Sequence, residues 1–149
     1  MSTRSTTHFL YGDSKTPAAI IYRHGDGYPE RAGVDLKRFF KECATLPDTR
    51  FNDPTYLAAK YVVWLANEFN WTYDFKGEKM ERIRPASRLE FLSVGICMED
   101  PGDIEYRYTV SCGKMIEGEP ELKCYPVDRE GKNQWAVKIP DIPEKKDAA

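Results

Sequence analysis

The spacing of apolar residues changes twice along the chain and divides it into three stretches. Residues 3–11, "TRSTTHFLY", are rich in Thr and aromatics and alternate loosely, the pattern of an edge or half-buried strand with Arg4, Thr6, His8 and Leu10 on one face. "GDSKTP" at 12–17 is a turn signal and "AAIIYRH" at 18–24 a second strand, so the two predict a hairpin. After a glycine-bracketed loop around Gly25 to Gly33, the spacing lengthens to that of a helix. "VDLKRFFKECATL" sets Leu36, Phe39, Phe40 and Cys43 on one stripe and ends near Pro47. A second helix repeats Leu57, Ala58, Tyr61, Val62, Leu65 and Phe69, with Asp53 as N-cap and Pro54 at the first helical position.

Residues 71–88 mix aromatics, charges, Gly and Pro, and predict an irregular or lightly stranded connection. Alternation returns in "LEFLSVGICME", and "DPGD" at 100–103 reads as the tight turn of a hairpin into "IEYRYTVSC". There Ile104, Tyr106, Tyr108 and Val110 alternate with Glu105, Arg107, Thr109 and Ser111, an apolar face against a wet one. "PELKCYPVD" and "NQWAVKIP" predict two further short strands. The order is strand, strand, helix, helix, then four strands. It predicts an α+β fold: an antiparallel sheet of about five to six strands with two helices on one face. One domain is expected over residues 1–140, with 141–149 a flexible tail.

Composition narrows the function classes. The 149 residues carry 22 Lys plus Arg against 24 Asp plus Glu, a net charge of -2, so the overall field does not point to duplex nucleic acid or an anionic membrane as partner. Apolar runs fall well short of the ~20 residues of a membrane span, and the polar start lacks a signal-type segment, so a cytoplasmic protein is expected. Cys43, Cys97, Cys112 and Cys124 show no C-x-x-C pair and no neighbouring His, which reads as reduced thiols rather than a zinc site or disulfide framework. No metal or cofactor is expected.

Candidate chemistry concentrates where the second strand ends, in "AAIIYRHGDGYPERAG". Guanidinium forks match phosphate oxygens and aromatic faces hold a base, so Arg4, Tyr22, Arg23, His24, Asp26, Tyr28 and Arg107 form the candidate set for a phosphorylated ligand. Arg23 and His24 would meet phosphate, Arg4 and Arg107 support them, and Tyr22 or Tyr28 touch a ring. Which residues share a face depends on strand register, which the sequence leaves open. The competing reading gives Arg23 and His24 to Asp26, Glu30 or turn carbonyls as loop braces, with Gly25 and Gly27 at positive φ.

"IIYRHG" resembles the opening of the histidine phosphatase family, which would make His24 a nucleophile and Arg23 a phosphate clamp. That family needs a second histidine late in the sequence and a parallel α/β fold. Here the other histidine is His8, upstream, and the downstream half reads as hairpins. Hydrolysis of a phosphoester through His24 is therefore the alternative to binding.

The segments "STRSTTHF", "AIIYRHGDGYPERAGVDLKRFF", "RFNDPTYLAAKYVVWLA" and "LSVGICMEDPGDIEYRYTV" together resemble a family of small uncharacterised proteins encoded by bacteria and their phages, over residues 2 to 112. In type alone, the chain is similar to compact phage proteins that sequester nucleotide immune signals, the Thoeris and CBASS anti-defence sponges. That likeness implies a homo-oligomer in the host cytoplasm that binds a nucleotide or ADP-ribose-like signal without transforming it. A protein–protein interaction module is the third reading.

Overall fold

The first hairpin closes on Gly12, whose φ of 47° lies in the left-handed region that a residue without a Cβ enters freely. A computed structural model describes residues 3–12, 14–48, 50–69, 72–77, 79–83, 89, 93–113 and 120–138. The turn joins β1 (Ser5–Tyr11) to β2 (Ala19–Arg23) in antiparallel register, Thr7 opposite Ile21. Two helices follow, α1 (Val34–Cys43) and α2 (Pro54–Phe69). A hairpin of β3 (Thr72–Lys76) and β4 (Lys79–Ile83) forms a separate two-stranded sheet. Then come β5 (Val94–Cys97), β6 (Tyr106–Cys112), β7 (Glu121–Pro126) and β8 (Val137–Lys138).

The architecture is α+β, and the main sheet has six strands in the order β5-β2-β1-β6-β7-β8. It is mixed rather than antiparallel, because β1 and β6 run parallel, Thr6 beside Arg107 and His8 beside Thr109. The Thr-rich β1 is therefore a central strand, not an edge, with Ser5, Thr6 and Thr7 all buried.

The hairpin expected around "DPGD" does not form. β5 is antiparallel to β2 and β2 to β1, so β5 and β6 run in the same direction with two strands between them. Residues 98–105 must then cross the sheet, over three strand spacings of about 14 Å in all, well within the reach of roughly 26 Å that eight residues have. A two-residue turn joins only antiparallel neighbours, and the pairing of β6 with β1 removes that option. The expected loop to Gly33 also ends early, at Tyr28. Pro29–Gly33 is a wide π-type turn that runs without a break into α1. The lightly stranded reading of 71–88 becomes the β3–β4 hairpin over 72–83, turning on Gly77 at φ 68°. The tail expected at 141–149 lies outside the described residues.

Alternation along the strands sends Phe9, Ile21, Tyr108, Val110, Leu122 and Cys124 to one face, where both helices cover them. Leu36, Phe39, Phe40 and Cys43 of α1, and Leu57, Ala58, Tyr61 and Leu65 of α2, are buried there as the stripe predicts, while Val62 is only partly buried. The Phe69 side chain lies outside the described residues. Tyr61 sits at the centre, with ring centroids 5.1 Å from Phe39 and 6.0 Å from Phe9. Helix α2 starts as expected: Asp53 Oδ1 accepts from the backbone N–H of Thr55 at 3.2 Å and of Tyr56 at 3.3 Å, with Pro54 first in the helix. Among the described residues, no helix is long and apolar enough to cross a membrane.

Candidate functional site

Strand register decides which candidate residues meet. On the face away from the helices, Gly95, Tyr22, Thr6, Arg107 and Tyr125 form one transverse row from β5 to β7. His8 and Thr109 occupy the next row. One step beyond the β1–β2 ladder, His24 follows Tyr22 on the same side: the Tyr22 hydroxyl lies 2.7 Å from His24 Nδ1. The His24 backbone N–H donates to the Ser93 carbonyl at 3.0 Å, which fixes the strand end while leaving the ring exposed. Arg4 lies at the start of β1 on this side, and its guanidinium pairs with Asp103. Its Nε is buried and finds no acceptor among the described residues.

Over this outer face runs the crossing segment 98–105, pinned by Asp100. Asp100 Oδ2 accepts from Thr6 Oγ1 at 3.2 Å and Arg107 Nε at 2.7 Å, and His8 Nε2 lies 2.9 Å away. Asp100 Oδ1 accepts the Gly102 N–H at 2.9 Å. Burial works to raise this carboxyl, but the bonds from Arg107 and Gly102 and the charge of Arg107 outweigh it and hold the pKa at about 2. A carboxylate in that state only accepts, so His8 carries its proton on Nε2. Burial pulls His8 below its ordinary value despite Asp100, which leaves it a neutral donor. The far side of the Arg107 fork donates to the Gly131 carbonyl at 3.3 Å and to Asn133 Oδ1, both in the loop after β7.

Arg23 is absent from this face. It points between the sheet and α1, where Nη1 donates to Asp35 Oδ2 at 2.7 Å and Nε to the Gly25 carbonyl at 2.8 Å. Both side chains are nearly sealed, at 10% and 5% exposure. Burial pushes the Asp35 carboxyl upward against the Arg23 charge, and it pushes the Tyr61 hydroxyl beside them to about 12.

The loop that follows Arg23 is braced rather than open. Tyr108 donates its hydroxyl to the Gly27 carbonyl at 2.7 Å, and the Gly27 N–H donates to the Thr3 carbonyl at 2.9 Å. Positive φ falls on Asp26, at 53°, and not on Gly25 or Gly27 as the sequence suggests. Asp tolerates that region better than most side chains. Gly27 is needed for close approach: a Cβ there would sit 2.8 Å from Ser5 Cβ and from the Thr3 carbonyl oxygen. Asp26 lies 3.9 Å from Arg31 in an exposed pair, and Tyr28 is partly buried as it enters the π-type turn.

Tyr22, His24, Arg4 and Arg107 thus share the outer face, joined by His8. Arg23 lies on the opposite side, and Asp26 and Tyr28 lie in the loop between. Sequence reasoning treated Asp100 as a turn residue and passed over Asp35. The second had a visible signal, since Asp35 and Phe39 are i and i+4 and so place a carboxylate on the buried stripe. All four cysteines are free thiols; Cys43, Cys112 and Cys124 are buried. Burial raises Cys43 to about 11 and the other two to about 12, values that suppress thiolate chemistry. No group of three or more His, Cys, Asp and Glu suited to a metal ion occurs among the described residues.

Comparison with protein-family models, curated proteins and solved structures finds no match for this chain.

Proposed function

We propose that the outer face of the sheet binds a phosphorylated small molecule of nucleotide or ADP-ribose type and holds it without transforming it. The observation that carries this reading is the register: it lines up His24, Tyr22, Arg4, Arg107 and His8 on the sheet face that, among the described residues, no helix covers. Cations supply charge and directed N–H donors for phosphate, and the exposed Tyr22–His24 pair supplies a surface for a ring. A binding role suits the geometry better than hydrolysis, because His24 meets a tyrosine hydroxyl rather than a second histidine or a carboxylate that would orient it.

Sequestration of a nucleotide signal in a host cytoplasm is the biological role this chemistry would serve, as the type-level resemblance to anti-defence sponges suggests. Self-association into a homo-oligomer belongs to the same proposal. Val63, Tyr56 and Leu46 are exposed on the helical side, where Phe39, Leu46, Val63 and Trp64 help to line a groove of about 360 Å³ between α1 and α2. A second copy of the chain would cover such a surface.

The test is a thermal-shift panel of mono-, di- and dinucleotides, followed by denaturation and identification of what is released. A ligand at 100 times its Kd stabilises by about 2.7 kcal/mol, so a true ligand shifts the midpoint visibly. Recovery of unchanged ligand supports binding; recovery of a dephosphorylated product replaces it with hydrolysis through His24. A panel with no shift at all removes the reading.

A further inference from the structure

We propose that Thr6, His8 and Arg107 form the subsite for a terminal phosphate monoester, and that the Asp100 carboxylate occupies it as a tethered stand-in that the ligand displaces. This rests on the reading of the outer face as a ligand site and names the chemical group recognised there.

The argument begins with donor count. Thr6 Oγ1, His8 Nε2 and Arg107 Nε converge on one atom, Asp100 Oδ2. A carboxylate has roughly two lone-pair sites on each oxygen, so three donors on one oxygen exceed what it satisfies well. A phosphate monoester offers three oxygens in a tetrahedral array and could give each donor its own acceptor. The cradle is also built before any ligand arrives. Thr6 and Arg107 are register neighbours on central strands, His8 is two residues along the same strand, and the rest of the Arg107 fork is held by Gly131 and Asn133. Asp100 is the mobile partner by comparison: it belongs to no strand and hangs on a crossing segment that its own side chain fastens.

Tethering makes Asp100 a competitor at high effective concentration, so the wild-type protein shows only the fraction of its affinity that the open segment allows. Charge-assisted bonds of this kind correspond to a competition of roughly ten- to hundred-fold.

The experiment compares wild type with Asp100→Asn by calorimetric titration with inorganic phosphate, adenosine 5′-monophosphate and adenosine. The expected result is that Asp100→Asn binds phosphate and the monophosphate roughly ten- to hundred-fold more tightly than wild type and leaves adenosine unaffected. Amide exchange of wild type gives an independent arm should the variant fail to fold. Saturating monophosphate is expected to speed exchange across residues 98–103, the part of the crossing segment that the Asp100 side chain fastens to Thr6, His8 and Arg107. Equal or weaker phosphate binding by a folded Asp100→Asn, or a 98–103 segment whose exchange the monophosphate slows or leaves unchanged, overturns the subsite. If a nucleotide of the wider panel still stabilises the wild type in that case, the outer face remains the ligand site and only the Asp100 assignment falls. If nothing in the panel binds, both fall.

Discussion

The two faces of the sheet each carry an Arg–Asp pair at the same separation, 2.7 Å, and the pairs differ in almost everything else. Arg23–Asp35 joins a strand end to a packed helix, sealed under the core aromatics. Arg107–Asp100 joins a central strand to a segment without regular structure, and water reaches its edge. Burial drives the Asp35 carboxyl upward, whereas at Asp100 burial is outweighed by the donors around it and the carboxyl falls to about 2. Contact distance therefore says little about role. What separates the pairs is how far each ion is removed from water and whether its carrier can move.

The sharpest way to break the comparison is to remove one member of the Arg–Asp pair from each face. Arg23→Ala leaves Asp35 charged, buried and unpaired, and is expected to cost about 3–5 kcal/mol in urea unfolding. Arg23→Met combined with Asp35→Leu should recover most of that loss, because an apolar pair of similar volume fills the same space without the desolvation penalty. If Arg23→Ala costs less than about 1 kcal/mol, the helix-face pair is not the structural clamp its burial implies. Gly27→Ala comes next, at about 1–3 kcal/mol, since its Cβ meets backbone and the β1 start at 2.8 Å. Gly25→Ala is the control, with open space around it and an expected change within about 0.5 kcal/mol. On the outer face, Asp100→Ala is expected to cost about 1–3 kcal/mol with the far-ultraviolet dichroism unchanged, because only the crossing segment is released.

Much of this contrast was legible in the residue pattern and part of it was not. The helical stripes and the Asp53 cap come from local periodicity, which depends on neighbours three and four residues away. The alternation of β6 correctly turned Tyr108 and Val110 inward and Arg107 outward. The mixed sheet could not be read this way. The parallel pairing of β1 with β6 joins residues about 100 positions apart, and "DPGD" carries the same turn chemistry whether it closes a hairpin or opens a crossing. The site divided along the same line. Arg4, Tyr22, His24 and Arg107 stand out in the sequence by their chemistry, and the register puts them on one face. Arg23 lies on the other face because alternation separates it from Tyr22, and only the register says which face the helices take.

Acidification separates the faces more gently. His8 has a folded pKa below 6.5, so between that lowered value and 6.5 the unfolded chain holds a proton that the folded chain does not, and stability falls as pH drops through the window. Asp100 acts in the same direction further down: its contribution is present above 3.8 and is lost as pH falls toward about 2. Asp35, raised in the folded state, has the opposite sign, and its contribution falls as pH rises above 3.8. Urea midpoints between pH 3 and 7 should therefore show a flatter acid limb in His8→Gln than in wild type, and a steeper one in Asp35→Asn. An unchanged slope in His8→Gln would mean that the outer-face cluster does not contribute to acid sensitivity.

The smallest expected effect on stability is also the cleanest test of function. His24→Ala removes an exposed ring whose side-chain partner among the described residues is the Tyr22 hydroxyl, and it keeps the backbone bond to Ser93, so the unfolding midpoint should move by no more than about 0.5 kcal/mol. A stabilising nucleotide found in the panel should nonetheless lose affinity in this variant, by about tenfold for one lost charge-assisted or stacking contact. Tyr22→Phe keeps the ring and deletes the hydroxyl that positions His24, so it should lose less. That pattern, stability unmoved and affinity graded from His24→Ala to Tyr22→Phe, is one a structural brace cannot produce. If both variants bind as wild type does, the lip of the outer face is not part of the ligand site, and Arg4 and Arg107 must act without it.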